Sequence, residues 1–215
     1  PKYPFLMTTR YALFVWLLSL STFLLIACQS EPTAADTEAA WTPLFNGTDL
    51  SGWEVKGGDA TFYVEDSVIV GLTEDSLPNC FLATTETFED FELKVEFKID
   101  PAINSGIQLR SNHYDRDTTT AYLSGSLKEG TRDWEKGRVY GYQIEIDPSK
   151  RAWTGGLYEE GGRGWLQPLT ENEAARQAFR PGEWNQFRIR TEGPHIHSWL
   201  NGVPAADTTD HATDA

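Results

Sequence analysis

The stretch "FELKVEFKI", residues 91–99, alternates apolar and charged side chains over its whole length. Because successive side chains of a β-strand point to opposite faces, this pattern predicts a half-buried strand. Its charged row mixes Lys and Glu, so we interpret that row as an ordinary solvated face. The stretch therefore indicates a β-rich domain.

Shorter runs with the same signals lie on both sides of this stretch, each bounded by turn residues. They are residues 61–65, 67–71, 80–84, 106–111, 185–192 and 195–200. Asn201-Gly202, directly after the last run, is a strong hairpin turn signal. Many short strands with such turns predict an all-β fold, either a β-sandwich or a jelly roll.

Two other segments interrupt the strand pattern. "TENEAARQAF" predicts one short helix, with Thr170 as N-cap, Glu173 completing a capping box and Pro181 ending it. Between Ser111 and Arg138 the sequence has no steady periodicity and is rich in polar and aromatic residues. We interpret that segment as a long binding loop, with a mobile insertion that has no role as the alternative.

The composition limits the classes of partner. The chain has 215 residues, of which 40% are hydrophobic, and its formal net charge is −14. Nucleic-acid binding needs clustered Lys and Arg, so this charge argues against it. A neutral ligand such as a sugar is compatible with the charge.

The first 40 residues are typical of an export signal and a tether. We interpret residues 1–27 as a signal peptide whose true start is Met7, because a basic Arg10 precedes an apolar run that ends at Ala27. A transmembrane anchor is the alternative, although the run is short for one. Residues 28–40 are then a lipidated Cys28 followed by a flexible tether, and residues 41–215 form the domain.

"LIAC", residues 25–28, resembles the lipobox of bacterial lipoproteins, in which the Cys becomes the lipidated first residue. By that resemblance, Gln29 is not the Asp that retains lipoproteins at the inner membrane. We therefore expect a lipid-anchored protein of the bacterial cell envelope, at the outer membrane or in the periplasm.

"GYQIEIDPS", residues 141–149, raises the question of a functional site. Its apolar row of Tyr142, Ile144 and Ile146 alternates with Gln143, Glu145 and Asp147. The second row holds an amide and carboxylates with no Lys to neutralise them, and like charges in one row repel. This favours the floor of a site over a merely solvated sheet face.

Neighbouring strands offer partners for this row. In residues 106–111, Gln108 and Arg110 share the face opposite the apolar residues, so Arg110 would pair with the carboxylates and orient them. In residues 195–200, His197 lies opposite the apolar face, either at a site or in a structural role.

Two motifs rich in small residues add binding groups. "NSG" places Asn104 at a turn just before Gln108. "TGGLYEEGGRGW", residues 154–165, predicts a Gly-rich loop with Tyr158 and Trp165 available to stack on sugar rings. No helix follows it, so phosphate binding is not indicated.

Several motifs in order resemble one known family. They are "LFNGTDLSGWEV", "NSGIQLRS", "YGYQIEIDPS", "TGGLY", "PGEWNQFRIR" and "SWLNGVP". From about Trp41 to Val203 the chain is similar to the DUF1080 family, also called the 3-keto-disaccharide hydrolase domain. The resemblance implies a concanavalin A-like jelly-roll β-sandwich and a secreted or lipid-anchored bacterial protein. Family members normally continue past the hairpin at Asn201-Gly202, so we expect C-terminal strands to be missing.

The implied activity is hydrolysis of 3-keto-glycosides and 3-keto-disaccharides, with an upstream sugar 3-dehydrogenase supplying the oxidised sugar. A base removes the C2 proton, the C1 substituent leaves and water adds back. We assign Glu145 as the base, with Asp147 second, and Arg110 as the enolate stabiliser. Tyr158 or His197 would be the acid.

The remaining roles concern binding and a metal. The side chains of Asn104, Gln108 and Gln143 would hold substrate hydroxyls. A divalent metal held by Glu145, Asp147 and His197 is the alternative electrophile, although no ligand spacing proves it.

Two other functions stay open. A retaining glycosidase needs two carboxyl groups about 5–5.5 Å apart. The first polar residue of the row, Gln143, is an amide and cannot be a nucleophile, although Glu145 and Asp147 remain a candidate pair. A noncatalytic carbohydrate-binding jelly-roll module would instead tolerate the loss of Glu145.

Overall fold

The structure is a computed structural model that describes residues 41–72 and 79–212. The signal peptide and lipidated tether predicted for residues 1–40 lie outside these ranges. Within the described ranges, no helix has the length and apolar character needed to span a membrane.

The strands are β1 (Trp53–Lys56), β2 (Thr61–Glu65), β3 (Val68–Leu72), β4 (Phe81–Thr84), β5 (Phe91–Phe97), β6 (Ser105–His113), β7 (Thr118–Leu123), β8 (Glu129–Trp134), β9 (Val139–Ile146), β10 (Leu157–Glu160), β11 (Gly164–Gln167), β12 (Asn185–Glu192), β13 (His195–Leu200) and β14 (Val203–Thr209), and the helix α1 (Glu173–Ala178) lies between β11 and β12.

Two main sheets carry the fold. The six-stranded sheet has the order β6-β9-β10-β11-β7-β8, and the four-stranded sheet has the order β14-β13-β12-β5. The pairs β1-β4 and β2-β3 form two small sheets. The described residues thus form a jelly-roll β-sandwich with one short helix, as predicted.

The core lies between the two main sheets. Tyr142 and Ile144 of β9 are fully buried, as are Phe187 and Ile189 of β12 and Ile196 of β13, and all belong to one apolar cluster. Burying an apolar side chain of this size stabilises the fold by about 1.5–3 kcal/mol. The predicted alternation along β9 is confirmed, and it turns Gln143 and Glu145 to the face that points away from the core.

A β-bulge in β6 changes the direction of Arg110. The register with β9 shifts between Leu109 and Asn112, and Arg110 has a φ of 49°. A bulge adds one residue to a strand and re-aims its side chains. Arg110 Nη2 accordingly donates a hydrogen bond to the carbonyl of Gly193, and it lies 3.8 Å from the Asp90 carboxylate. The prediction that Arg110 orients the carboxylates of β9 is therefore wrong.

Two segments predicted as loops are hairpins. Most of residues 111–138 forms the end of β6 and the antiparallel pair β7-β8, and residues 154–165 contain β10 and the start of β11. The strand β8 is exposed at every residue but its last, so no apolar alternation marks it in the sequence. Both hairpins belong to the six-stranded sheet and bring further side chains to its outer face.

The helix begins two residues later than its predicted cap implies. Its N-cap is Asn172, whose side chain accepts a hydrogen bond from Ala175 N at 3.1 Å. The Asn172 amide also donates to the carbonyls of Pro204 and Ala205, both at 3.0 Å. The prediction of Thr170 as N-cap is wrong, because contacts with β14 select the cap.

The hairpin predicted at Asn201-Gly202 is present. Both residues have positive φ angles, 50° and 83°, and they join β13 to β14 in antiparallel pairing. The sequence patterns did not predict β14, which lies at the edge of the four-stranded sheet.

Candidate active site

A cavity of about 220 Å³ opens on the outer face of the six-stranded sheet. Its walls come from β7, β9, β10 and β11 and from the loops that flank them. Its lining residues are Asn104, Tyr122, Gly125, Gln143, Glu145, Arg151, Tyr158, Glu160 and Trp165.

Glu145 forms the floor of this cavity and is only 4% exposed. Asn104 Nδ2 donates to its Oε1 over 2.5 Å, and Gln143 Nε2 donates to its Oε2 over 2.8 Å. Burial raises the pKa of Glu145 above its ordinary value; the two hydrogen bonds offset part of this, while Asp147 and Glu160 add repulsion. The raised pKa makes the Glu145 carboxylate a stronger base than an ordinary carboxylate.

Gly106 makes room for the Gln143 amide. It lies opposite Glu145 in the β6-β9 register. A Cβ at position 106 would stand 2.4 Å from Cγ and 2.8 Å from Nε2 of Gln143. The glycine of the "NSG" motif therefore permits the hydrogen bond from Gln143 to Glu145.

Asp147 holds a guanidinium instead of lining the cavity. Arg151 Nε donates to its Oδ2 over 2.7 Å, and Ser149 N donates to its Oδ1 over 3.1 Å. Burial acts to raise the pKa of Asp147, but the hydrogen bonds from Arg151 and Ser149 outweigh it and leave the pKa below its ordinary value. Asp147 is thus an ionised anchor, and its predicted role as a second base is not supported by its contacts.

Arg151 brings positive charge to the cavity wall. Its Cζ lies 4.8 Å from the ring centre of Trp153 and 5.3 Å from that of Trp165, so aromatic faces hold it. A Cβ on Gly125 would come within 2.2 Å of Arg151 Nη1. The glycine therefore leaves the space in which the guanidinium reaches the cavity.

Two tyrosines and Trp165 also line the cavity. The hydroxyls of Tyr158 and Tyr122 are 3.0 Å apart, and the Tyr158 ring meets Trp165 edge to face at 5.2 Å. Burial, and then the hydrogen bond with Tyr122, raise the pKa of Tyr158 well above its ordinary value. Tyr158 is therefore a neutral phenol that can donate a proton into the cavity.

Glu160 is a second carboxylate in the cavity. Arg138 Nη2 and Asn79 Nδ2 both donate hydrogen bonds to its Oε1, the latter over 2.8 Å. Its charge is therefore paired, whereas the side-chain hydrogen bonds that the described part of the chain makes to Glu145 come from neutral amides.

The structure brings together five of the predicted site residues. They are Asn104, Gln143, Glu145, Tyr158 and Trp165. Trp165 is only 4% exposed and its ring packs edge to face on Trp153, so it supports the wall and offers little open face to a sugar.

His197 lies elsewhere. It is on β13, where Ile196 and Leu200 point into the core as predicted, so His197 faces away from the core on the other sheet. Its ring stacks on Trp199 with centres 3.6 Å apart, and burial lowers its pKa. The assignment of His197 as a catalytic acid is wrong, and its structural role is favoured.

Gln108 is close to the site in register but does not line it. It pairs with Gln143 across β6 and β9. Its amide nitrogen and oxygen are buried, and neither has a hydrogen-bond partner among the described residues. Its predicted contact with a substrate hydroxyl is therefore not supported by its position.

The predicted metal ligands are not assembled. Glu145 lies in the cavity, Asp147 is paired with Arg151, and His197 is on the other sheet. Across residues 41–72 and 79–212, no group of three His, Cys, Asp or Glu side chains has the arrangement of a metal site.

Sequence reasoning missed Arg151, Tyr122 and Glu160. Glu160 stands two residues after Tyr158, so strand alternation alone would have put the two on one face. Arg151 follows Asp147 by four residues in a turn. Tyr122 comes from a hairpin in the segment that the sequence predicts to be a loop. These two positions depend on tertiary contacts that carry little local signal.

Comparison with known proteins gives one family. The family model described as a 3-keto-alpha-glucoside-1,2-lyase-like domain matches residues 40–215. None of the curated proteins compared with the chain matches it. Among solved structures, the chain is similar to a protein from Parabacteroides distasonis ATCC 8503 described as a "putative glycosyl hydrolase". The identity is 22%, the TM-score is 0.49, and the alignment covers 80% of this chain and 73% of the other.

Proposed function

Because the chain belongs to the family of 3-keto-alpha-glucoside-1,2-lyase-like domains, a glycoside-active group of hydrolase-like proteins, we propose that it cleaves glycosides already oxidised to a ketone at C3. The ketone makes the neighbouring C2 proton acidic. Removal of that proton gives an enolate, and the enolate expels the substituent at C1. Water then adds to complete a hydrolysis.

The observation that carries this proposal is the buried Glu145 carboxylate on the cavity floor. Among the described residues, its hydrogen bonds come from the neutral amides of Asn104 and Gln143, and burial raises its pKa, so it binds a proton more readily than an ordinary carboxylate. A general base works best when its pKa lies near the working pH. Glu145 therefore takes the C2 proton.

In this mechanism Arg151, and not Arg110, stabilises the enolate. It is the guanidinium that lines the cavity, while Asp147 and two indole rings fix its direction. An enolate oxygen is stabilised by a fixed cation in a site that excludes water. Arg151 therefore binds the C3 oxygen as negative charge develops there.

Tyr158 supplies the acid. Its phenol stays protonated, because its pKa is raised, and it lines the same cavity as Arg151 and Glu145. As the C1–O bond breaks, the Tyr158 proton passes to the glycosidic oxygen and the alcohol departs. The enolate electron pair becomes the C1=C2 double bond of a ketosugar enone.

Hydration runs the same steps with water in place of the alcohol. Water gives its proton to the Tyr158 phenolate and its oxygen to C1, and protonated Glu145 returns a proton to C2. Both residues recover their starting states, and the net reaction is hydrolysis.

The contacts of the carboxylates disfavour a retaining glycosidase. Asp147 is ion-paired with Arg151, and Glu160 is ion-paired with Arg138. Gln143 is an amide, and the two carboxylates that repel Glu145 are thus both paired with a cation. A carbohydrate-binding module would not require the raised pKa of Glu145 but would bind sugar in the same cavity.

One assay separates the three functions. The protein is offered 3-keto-trehalose and 3-keto-lactose beside the unoxidised sugars. We expect turnover of the keto sugars alone. Turnover of plain sugars would instead establish a glycosidase, and binding without turnover would establish a binding module.

Variants tie the activity to the cavity. Glu145→Gln should abolish turnover while the protein stays folded. The matched control is Glu96→Gln on the exposed face of β5, which should turn over like the wild type.

A further inference from the structure

Glu160 has one carboxylate oxygen left over for a ligand. Arg138 Nη2 and Asn79 Nδ2 both donate to its Oε1, whereas no donor in residues 41–72 or 79–212 forms a hydrogen bond with its Oε2. The side chain lines the same cavity as Glu145 and Tyr158. A carboxylate that is paired with an arginine can only accept hydrogen bonds, so Oε2 is an acceptor for a donor group of the ligand.

The Glu160 carboxylate is held in place by its neighbours. Asn79 donates to Oε1 over 2.8 Å, and the Arg138 guanidinium lies over the Trp134 ring with Cζ 5.4 Å from the ring centre. Trp134 is buried, and its Nε1 donates to Thr120 Oγ1 over 2.9 Å. Because these contacts already order the carboxylate, a hydrogen bond from a ligand costs little further conformational entropy.

The register of β9 and β10 sets the order of three cavity groups. Glu145 is on β9. On the neighbouring strand β10, Tyr158 is opposite Gln143 and Glu160 is opposite Gly141. Along β9 the order is therefore Glu145, Tyr158, Glu160, and the backbone levels of the first and last are four residues, or about 13 Å, apart. Seen from the proposed base, Glu160 lies beyond the proposed acid.

The reacting bonds of the substrate follow the same order. Glu145 takes the proton at C2, and Tyr158 acts on the glycosidic oxygen at the neighbouring C1. The leaving group begins on the far side of that oxygen. A group that lies beyond Tyr158 in the same cavity therefore meets the leaving group, and a sugar at that place offers its hydroxyls to Glu160.

We propose that Glu160 Oε2 accepts a hydrogen bond from one hydroxyl of a leaving-group sugar, and that this contact makes the protein select 3-keto-disaccharides over 3-keto-glycosides of small alcohols. The inference rests on the proposed function. Glu160 is a specificity-determining residue and takes no part in the bond changes at C1 and C2. A hydrogen bond to a charged group is strong enough to change kcat/KM by about ten- to a hundredfold.

The first experiment compares 3-keto-trehalose with methyl 3-keto-α-glucoside. Both carry the same ketosugar, but only the first has a sugar as its leaving group. In Glu160→Gln, Arg138 and Asn79 hold the amide oxygen at the place of Oε1, which leaves an NH₂ donor where the acceptor was. The ratio of kcat/KM for 3-keto-trehalose to that for the methyl glycoside should therefore fall by about tenfold or more.

This ratio is insensitive to an indirect effect of the substitution. Glu160 raises the pKa of Glu145 by repulsion, and a change in that repulsion affects both substrates alike. The matched control is Glu129→Gln, because Glu129 is exposed on β8 of the same sheet. Its ratio should equal that of the wild type.

A second experiment varies the substrate and needs no variant to give a result. Four analogues of 3-keto-trehalose each lack one hydroxyl of the leaving glucose, at C2, C3, C4 or C6. The wild type should cleave one of them about ten- to a hundredfold more slowly than the parent. Glu160→Gln should distinguish that analogue from the parent much less, because the two changes remove the same contact.

The contrary results separate the role of Glu160 from the proposed function. Equal losses for both leaving groups in Glu160→Gln, an unchanged ratio, or four analogues that the wild type cleaves at the parent rate would overturn the role of Glu160 while leaving the proposed function standing. Failure of the wild type to cleave any keto-glycoside would overturn the proposed function, and the role of Glu160 with it.

Discussion

Glu145 carries a charge that opposes folding. It is 4% exposed, no cation in residues 41–72 or 79–212 forms an ion pair with it, and its pKa is raised by burial. A buried charge without an ionic partner costs free energy. The same burial makes the residue a good base, so stability and reactivity conflict at this one position.

Replacing Glu145 with Gln should therefore stabilise the protein above the raised pKa. The contribution of Glu145 to the free energy of unfolding is full below its ordinary pKa of 4.5 and is lost as the pH rises through the raised folded-state value. We expect urea melts to give equal stabilities in acid and a more stable variant in alkali. The exposed control Glu96→Gln should parallel the wild type, and an equal stability of Glu145→Gln at every pH would contradict the burial of a charge.

A second prediction at the scale of single residues concerns Gly106. An alanine there would push the Gln143 amide away from Glu145, and that hydrogen bond lowers the pKa of Glu145. The acid limb of kcat/KM, which reports the base of the free enzyme, should move to higher pH in Gly106→Ala. Gly130→Ala is the control, because a Cβ there meets nothing within 4 Å. An unmoved limb would show that Gln143 does not tune Glu145.

At the scale of elements, the cap of α1 can be tested directly. Asn172→Ala removes the N-cap acceptor and two hydrogen bonds to β14, so the free energy of unfolding should fall by about 1 kcal/mol or more. Thr170→Ala should change it by less than about 0.5 kcal/mol. Denaturant melts measure both, and the reverse order would restore Thr170 as the cap.

The strands that the sequence predicted are those whose side chains alternate clearly along the chain, such as β9 and β12. β9 is buried on both sides, and its alternation alone told which residues face the core and which face the cavity. β8 is exposed along most of its length, so nothing in its pattern marks it. The direction of the Arg110 side chain depends on the bulge at which the register between β6 and β9 shifts. The sequence of one strand does not reveal such a shift.

The candidate site divides in the same way. Gln143 and Glu145 follow from the alternation of one strand, and Asn104 from the turn beside it. Arg151 and Tyr122 reach the cavity through a turn and a separate hairpin, so their place depends on the packed fold. Local patterns thus predicted that Glu145 lies at the candidate site, but they placed Arg110 there, whereas Arg151 is the arginine that lines the cavity.

At the scale of the whole molecule, the two rows of side chains on β9 lie in different surroundings. The apolar row joins the core between the sheets, and the polar row floors a cavity on the outer face. The net charge of −14 is compatible with the neutral sugar that the proposed function requires. Chemistry is therefore placed outside the core, where residues from several strands and loops meet.

A further prediction concerns Cys28, which precedes the domain in the sequence. We propose that Cys28 is lipidated and anchors the domain to the bacterial cell envelope, because "LIAC" precedes a polar stretch. Cells expressing the full chain and fed a labelled fatty acid should label the wild type but not Cys28→Ser. Cys80→Ser is the matched control and should be labelled normally; equal labelling of Cys28→Ser would reject the anchor.

The most direct test of the mechanism follows the hydrogen at C2. A 3-keto-glycoside carrying deuterium at C2 is incubated with the protein, and the released ketosugar is analysed by NMR and mass spectrometry. We expect release of the alcohol to be accompanied by loss of deuterium to water, faster than in buffer alone, and neither event with Glu145→Gln. Release of the alcohol with deuterium still at C2 in every product molecule, and at the same rate as from the protiated substrate, would contradict proton removal by Glu145.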